Sequence, residues 1–236
     1  MTTASHGGQP LPPPDGPLAP WAQLVAEAHL APTLPRRWGH LVHAIERAQA
    51  LSAAGRLGAE DTDVLIAAVA LHDIGYSPRL VDTGFAPLDG ARWLKRIGVA
   101  PRVADLVAHS CYAALEAELR GLAASYEEIA DERTPVRDAV WFCCLTAGPD
   151  GTPITISERI RGIRERYADD PVVLQYVDLG ADELIAAAGR ARWHFVTDCP
   201  SDTAADSPAH NGRSAKAEGR TTPADPISYI PVRHLR

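Results

Sequence analysis

Val64-Leu65-Ile66-Ala67-Ala68-Val69-Ala70-Leu71 runs without a polar position into His72-Asp73-Ile74-Gly75-Tyr76. A run with no polar face reads as a helix buried on all sides. Its first turn is acidic (Glu60, Asp61, Asp63), which suits the positive end of a helix dipole. Gly75 followed by Pro78 supplies a stop signal. The stretch therefore predicts a helical core, with an imidazole and a carboxylate delivered together at the end of its innermost helix. Buried charge is costly unless it is paired or coordinates a cation. His72 and Asp73 are thus candidate metal ligands, although most His-Asp dipeptides are ordinary hydrogen-bonded surface pairs.

Upstream, Arg36 to Ala54 carries Trp38, Leu41, Ile45, Ala48 and Leu51 on one helical stripe. His40 and His43 are three apart, so both can lie near one face, and either is a candidate ligand. Before them, Trp21 to Leu30 reads as a short amphipathic helix with Leu24, Val25 and Ala28 on one face, ended by Pro32 and Pro35. Downstream, Leu80 to Pro87 reads as a loop, Leu88 to Ile97 as a helix stopped by Gly98, and Pro101 to Cys111 as another, ending near His109. Leu115 to Ala124 continues in helical style with Glu116, Glu118 and Arg120 solvated. Thr134 is the expected N-cap of a helix through Val140, Trp141 and Phe142 to Leu145. Gly148-Pro149-Asp150-Gly151 ends that helix. Ser157 to Tyr167 is rich in arginine and reads as a solvated charged helix, and Pro171 to Trp193 as one long helix or a broken pair. Convincing strands and internal repeats are absent.

The expected fold is all-α: one helical domain over residues 19–197, after a disordered Pro- and Gly-rich leader (1–18) and before a disordered tail (198–236) in which Ile227–Val232 docks weakly at most. Hydrophobic residues make up 46% of the 236, enough for a sizeable core, whereas aromatics are only 6%. Helices are therefore expected to pack through small residues. A net charge of −7 argues against a nucleic-acid surface, which must neutralise phosphates. No apolar stretch is long enough to span a membrane, and no secretory leader is visible. The four cysteines (Cys111, Cys143, Cys144, Cys199) form no CxxC pair. A reduced, cytoplasmic protein is the expectation.

Several blocks taken in order carry a family resemblance. They are Arg37-Trp38-Gly39-His40, Ala70 to Tyr76, Leu88-Asp89-Gly90-Ala91-Arg92-Trp93-Leu94, Val107-Ala108-His109-Ser110, Gly148 to Gly151, and Arg159 to Tyr167. Over residues 34–190 the chain resembles the HD-domain superfamily of metal-dependent phosphohydrolases. The resemblance implies an HD-type helical domain and one divalent ion (Zn, Fe or Mn) on His40, His72 and Asp73. Such an ion polarises a phosphoryl oxygen and lowers the pKa of a bound water. The implied partner is a small phosphorylated molecule such as a nucleotide. His40 is favoured over His43 for the first ligand, Asp73 and His109 are implied at the chemistry, and Arg37 and Arg92 (with Arg36) are candidates to hold phosphate, which guanidinium matches bidentately.

Three positions depart from the pattern. Cys144 stands where an acidic ligand is expected, and Ala86 and Ala108 where histidines are expected. Asp138 lies well round the helix from Cys144, and Asp150 reaches the site only if the turn folds back. A Cys144 thiolate would close the coordination shell and favour Zn²⁺ or Fe²⁺; as a small buried apolar residue, Cys144 would leave the metal weak or missing. The alternative is a catalytically degraded HD domain that serves as a ligand-binding or regulatory module.

Overall fold

The computed structural model describes residues 12–148 and 152–195. The leader up to residue 11, the tail from 196 onward with Cys199 and Ile227–Val232, and Pro149, Asp150 and Gly151 lie outside the described residues. Within them the fold is all-α, as the sequence implies. Ala147 and Pro153 form an isolated antiparallel bridge.

The chain builds α1 (Leu18–Leu30), α2 (Pro35–Ala53), α3 (Ala59–Leu71), α4 (Ala86–Arg96), α5 (Pro101–Ala108), α6 (Ala113–Leu119), α7 (Pro135–Thr146), α8 (Ile156–Arg166) and α9 (Pro171–Phe195). Short 3₁₀ turns lie at Ile74–Tyr76, Ser110–Tyr112 and Ala123–Tyr126. Helix α3 packs against α1, α2, α5 and α7. That placement explains its sequence: Leu65, Ala67, Ala68, Val69, Ala70 and Leu71 are all fully enclosed, so no side is left for a polar residue. The acidic first turn serves its neighbours more than its own dipole. Asp63 accepts hydrogen bonds from the N–H groups of Leu18 and Ala19, both at 2.8 Å, and so caps α1. Asp61 pairs with Arg102 at 2.7 Å.

Several expectations need correction. Helix α1 buries Trp21, Ala22, Val25, Ala26 and Leu30, while Leu24 is 59% exposed and Ala28 is exposed too. Trp21 and Leu30 therefore define the buried stripe. Helix α4 begins two residues earlier than read, because Pro87 suits a first turn. Ordered helix ends at Ala108, since Cys111 and Tyr112 take left-handed φ of 48° and 60° and turn the chain into α6. Glu116 and Arg120 are not solvated: Arg120 Nη2 lies 2.6 Å from Glu116 Oε1, with the side chains 9% and 19% exposed. Helix α9 is one unbroken rod. Thr134 caps α7 as expected, its Oγ1 accepting the Arg137 N–H.

Gly75 is needed for packing rather than for stopping a helix. A Cβ there would lie 2.0 Å from the Ala86 carbonyl oxygen, and one on Gly90 would lie 3.1 Å from Gly75 N. The 3₁₀ turn after Asp73 thus presses directly onto α4. The loop between them is folded around one buried carboxylate. Asp89 accepts the N–H groups of Asp82 (3.0 Å), Thr83 (2.8 Å) and Gly84 (3.0 Å), and the Thr83 hydroxyl (2.7 Å). Helix α8 is different in kind. A Thr155–Glu158 capping box fixes its start, and none of its residues is fully buried.

Candidate metal centre

His40 lies in α2, His72 is the C-cap of α3 and Asp73 follows it, so two adjacent helices deliver the three side chains. Each ring is fixed by a backbone carbonyl. His40 Nδ1 donates to the Ala147 oxygen at 2.9 Å, and His72 Nδ1 donates to the Val69 oxygen at 2.7 Å. Carbonyls only accept, so Nδ1 carries a proton in each ring, and the tautomer so selected has its bare nitrogen at Nε2. This is the outer-shell arrangement that metal-ligating histidines use. The ring centroids are 5.7 Å apart, nearly edge to face. Asp73 Oδ1 lies 3.5 Å from His72 Nε2. One ligand atom from each of His40, His72 and Asp73 can be chosen so that all lie within 4.8 Å of one another. Two imidazole nitrogens and one carboxylate oxygen form a donor set whose chemistry fits a divalent ion with nitrogen and oxygen preference.

Electrostatics favour a neutral His40 and an ionised Asp73. Burial, reinforced by the Arg159, His72 and Arg37 side chains against the pull of Asp73, lowers the His40 pKa to about 3. Burial alone would raise the Asp73 pKa, but Arg37 and the two imidazoles outweigh it and hold the carboxyl well below the usual range. The Arg37 contact is close: Nη1 lies 2.7 Å from Asp73 Oδ2, and the guanidinium stacks 3.3 Å from the Tyr76 ring centroid. Arg37 therefore occupies one carboxylate oxygen and leaves Oδ1 toward the imidazoles.

A cavity of about 190 Å³ opens in front of His40, His72 and Asp73. Tyr76, Glu116, Arg159, Arg166, Tyr167 and Tyr176 line it, together with Ser110, Cys111 and Cys144. Cys144 is buried in this wall but stands outside the group of mutually close ligand atoms. Burial, with the Cys111 thiol beside it, pushes its pKa well up.

The other expected site residues scatter. His43 turns outward to Glu46 at 3.0 Å, which leaves His40 as the α2 histidine grouped with His72 and Asp73. His109 is not among the cavity-lining residues. Its Nε2 donates to the Ile129 oxygen at 3.0 Å, its carbonyl accepts the Trp141 indole N–H, and it meets Tyr126 edge to face. It holds helices together rather than touching the cavity. Arg92 points to Asp82 (3.3 Å) and Ser125 (3.2 Å), also away from the cavity, and Arg36 is exposed. Ala86 and Ala108 are buried in packing.

Arg159 is the main residue that sequence reading missed. It donates to the carbonyls of Cys144 (3.1 Å), Leu145 (3.2 Å) and Ala147, and its Nη2 lies 3.5 Å from His40 Nδ1. Arg159, Ile163, Arg166 and Tyr167 recur at helical spacing and line one side of the cavity, with Arg166 exposed at its edge. That spacing was the available signal, masked by the number of exposed arginines around it. No family model, curated protein or solved structure matches the chain.

Proposed function

We propose that the chain is a metal-dependent phosphohydrolase of the HD type, acting on a small phosphorylated molecule such as a nucleotide through one divalent ion (Zn, Fe or Mn). The observation that carries this reading is the convergence of His40, His72 and Asp73, with both imidazole tautomers set by backbone carbonyls. A bound ion would supply Lewis acidity toward a phosphoryl oxygen and an acidified water. The chain's own contribution is positional. His40 and His72 present their Nε2 atoms, and Asp73 supplies the negative charge. Arg159 holds the end of α7 against the site. Arg166 brings positive charge to the cavity rim, where a phosphate dianion would enter.

Elemental analysis of protein purified without chelator, in buffer containing sulfate, tests this. Near-stoichiometric metal is expected in the wild type and its loss in His72→Ala, with a generic phosphomonoester hydrolysed only by the loaded protein. Equal, substoichiometric metal in both proteins would remove the proposal.

A second reading is a ligand-binding module that has lost catalysis. Two observations favour it: Cys144 stands outside the ligand group, and Asp73 is already paired with Arg37. Cys144→Asp separates the two readings. Metal-dependent hydrolysis appearing only in that variant would identify a degraded enzyme.

A further inference from the structure

Among the described residues, the charged side chains facing the cavity are Asp73, Glu116, Arg37, Arg159 and Arg166. Glu116 is neutralised by Arg120 at 2.6 Å, and Asp73 by Arg37 at 2.7 Å. Arg159 and Arg166 remain, so the pocket carries positive charge before any ion arrives. Arg37 is not free to leave. Its side chain is 10% exposed, with Asp73 on one side and the Tyr76 ring 3.3 Å beneath it. A divalent ion on Asp73 Oδ1 would share one carboxylate with a guanidinium already bonded to Oδ2. Like charges this close, away from bulk water, repel strongly.

We infer that cation binding at His40, His72 and Asp73 requires a tetrahedral oxyanion in the same cavity, and that Arg37 imposes the requirement. The anion places negative charge between the ion and the guanidinium groups of Arg37 and Arg159. It thereby relieves a repulsion that neither imidazole can. Each partner then raises the affinity of the other by the same factor, as linkage demands. The inference rests on the metal reading above and adds an order of assembly: weak binding of either ion alone, tight binding of both.

Isothermal titration of Mn²⁺ into the metal-stripped full chain, at matched ionic strength with chloride, sulfate or phenylphosphonate, tests it without an activity assay. In the wild type, either oxyanion should tighten Mn²⁺ binding at least about tenfold over chloride. A larger effect of phenylphosphonate would identify a substrate's phosphoryl group as the partner, and an equal effect a free ion. Arg37→Gln, checked for folding by circular dichroism, should bind Mn²⁺ in chloride about tenfold more tightly than the wild type and lose the oxyanion response. Mn²⁺ binding that depends on His72 but not on the anion would overturn the inference and leave the metal site standing. Absence of Mn²⁺ binding under every condition would sink both. The wild-type titrations need no variant to fold.

Discussion

His40 is neutral because it is buried, and that has a consequence for stability in acid. Its pKa is about 3 in the folded chain against an ordinary 6.5. Below about pH 6.5 the unfolded chain takes up a proton that the folded one refuses until about pH 3. The stabilisation is therefore complete above pH 6.5 and is lost as pH falls toward 3. Asp73, also lowered, adds a loss of the same sign further down. Each unit of displacement corresponds to about 1.4 kcal/mol. Chelator-treated protein should show a lower urea midpoint at pH 5 than at pH 7.5, and His40→Gln should flatten that difference; an unchanged slope in the variant would contradict the burial argument. Cys144 supports a separate expectation. Because its sulfur lies outside the ligand group, Cys144→Ala should keep the wild-type metal content while losing about 1–2 kcal/mol of packing. His72 and Asp73 were legible in the sequence because they sit together at the end of an apolar run. His109 and Arg92 were not separable from site residues, since only tertiary partners such as the Ile129 carbonyl and Ser125 reveal that they are engaged elsewhere.

At the level of elements, periodicity located the helices and tertiary packing moved their ends. Helix α3 could be read because burial on every side leaves an unmistakable apolar run. Helix α1 was harder: with Leu24 exposed and Trp21 inside, its true stripe is offset from the one the aliphatic residues suggest. Arg159 was hidden for a related reason, as the helical spacing it shares with Ile163 and Tyr167 is masked by the exposed arginines around it. The contact between the Ile74–Tyr76 turn and α4 yields a sharp prediction. Gly75→Ala would drive a methyl group into a main-chain carbonyl, which cannot rotate away as a side chain can. A loss of about 3 kcal/mol or more is expected, at the upper end of overpacking costs, read as a large fall in thermal midpoint. Thr134→Ala should cost only about 1 kcal/mol, the usual worth of an N-cap.

Across the whole molecule, one long-range tie fastens the first helix to the core. Asp63 in α3 caps α1 from 45 residues away. Asp63→Ala should cost about 1–2 kcal/mol and lower the unfolding midpoint by denaturant without changing its slope, because α1 still buries Trp21, Val25 and Leu30. Within the described residues, no helix is long and apolar enough to cross a membrane. The cavity's two sides differ in how firmly they are anchored. Tyr76, on one side, leads into a loop whose amides converge on the Asp89 carboxylate, whereas α8, on the other, has no fully enclosed residue. Deuterium uptake should be slow at Thr83 and Gly84, although they lie in a loop, and quick along α8, although it is a helix. Breathing that admits a guest would then be one-sided: a fixed jaw carrying Asp73 and Tyr76, and a yielding jaw carrying Arg159 and Tyr167.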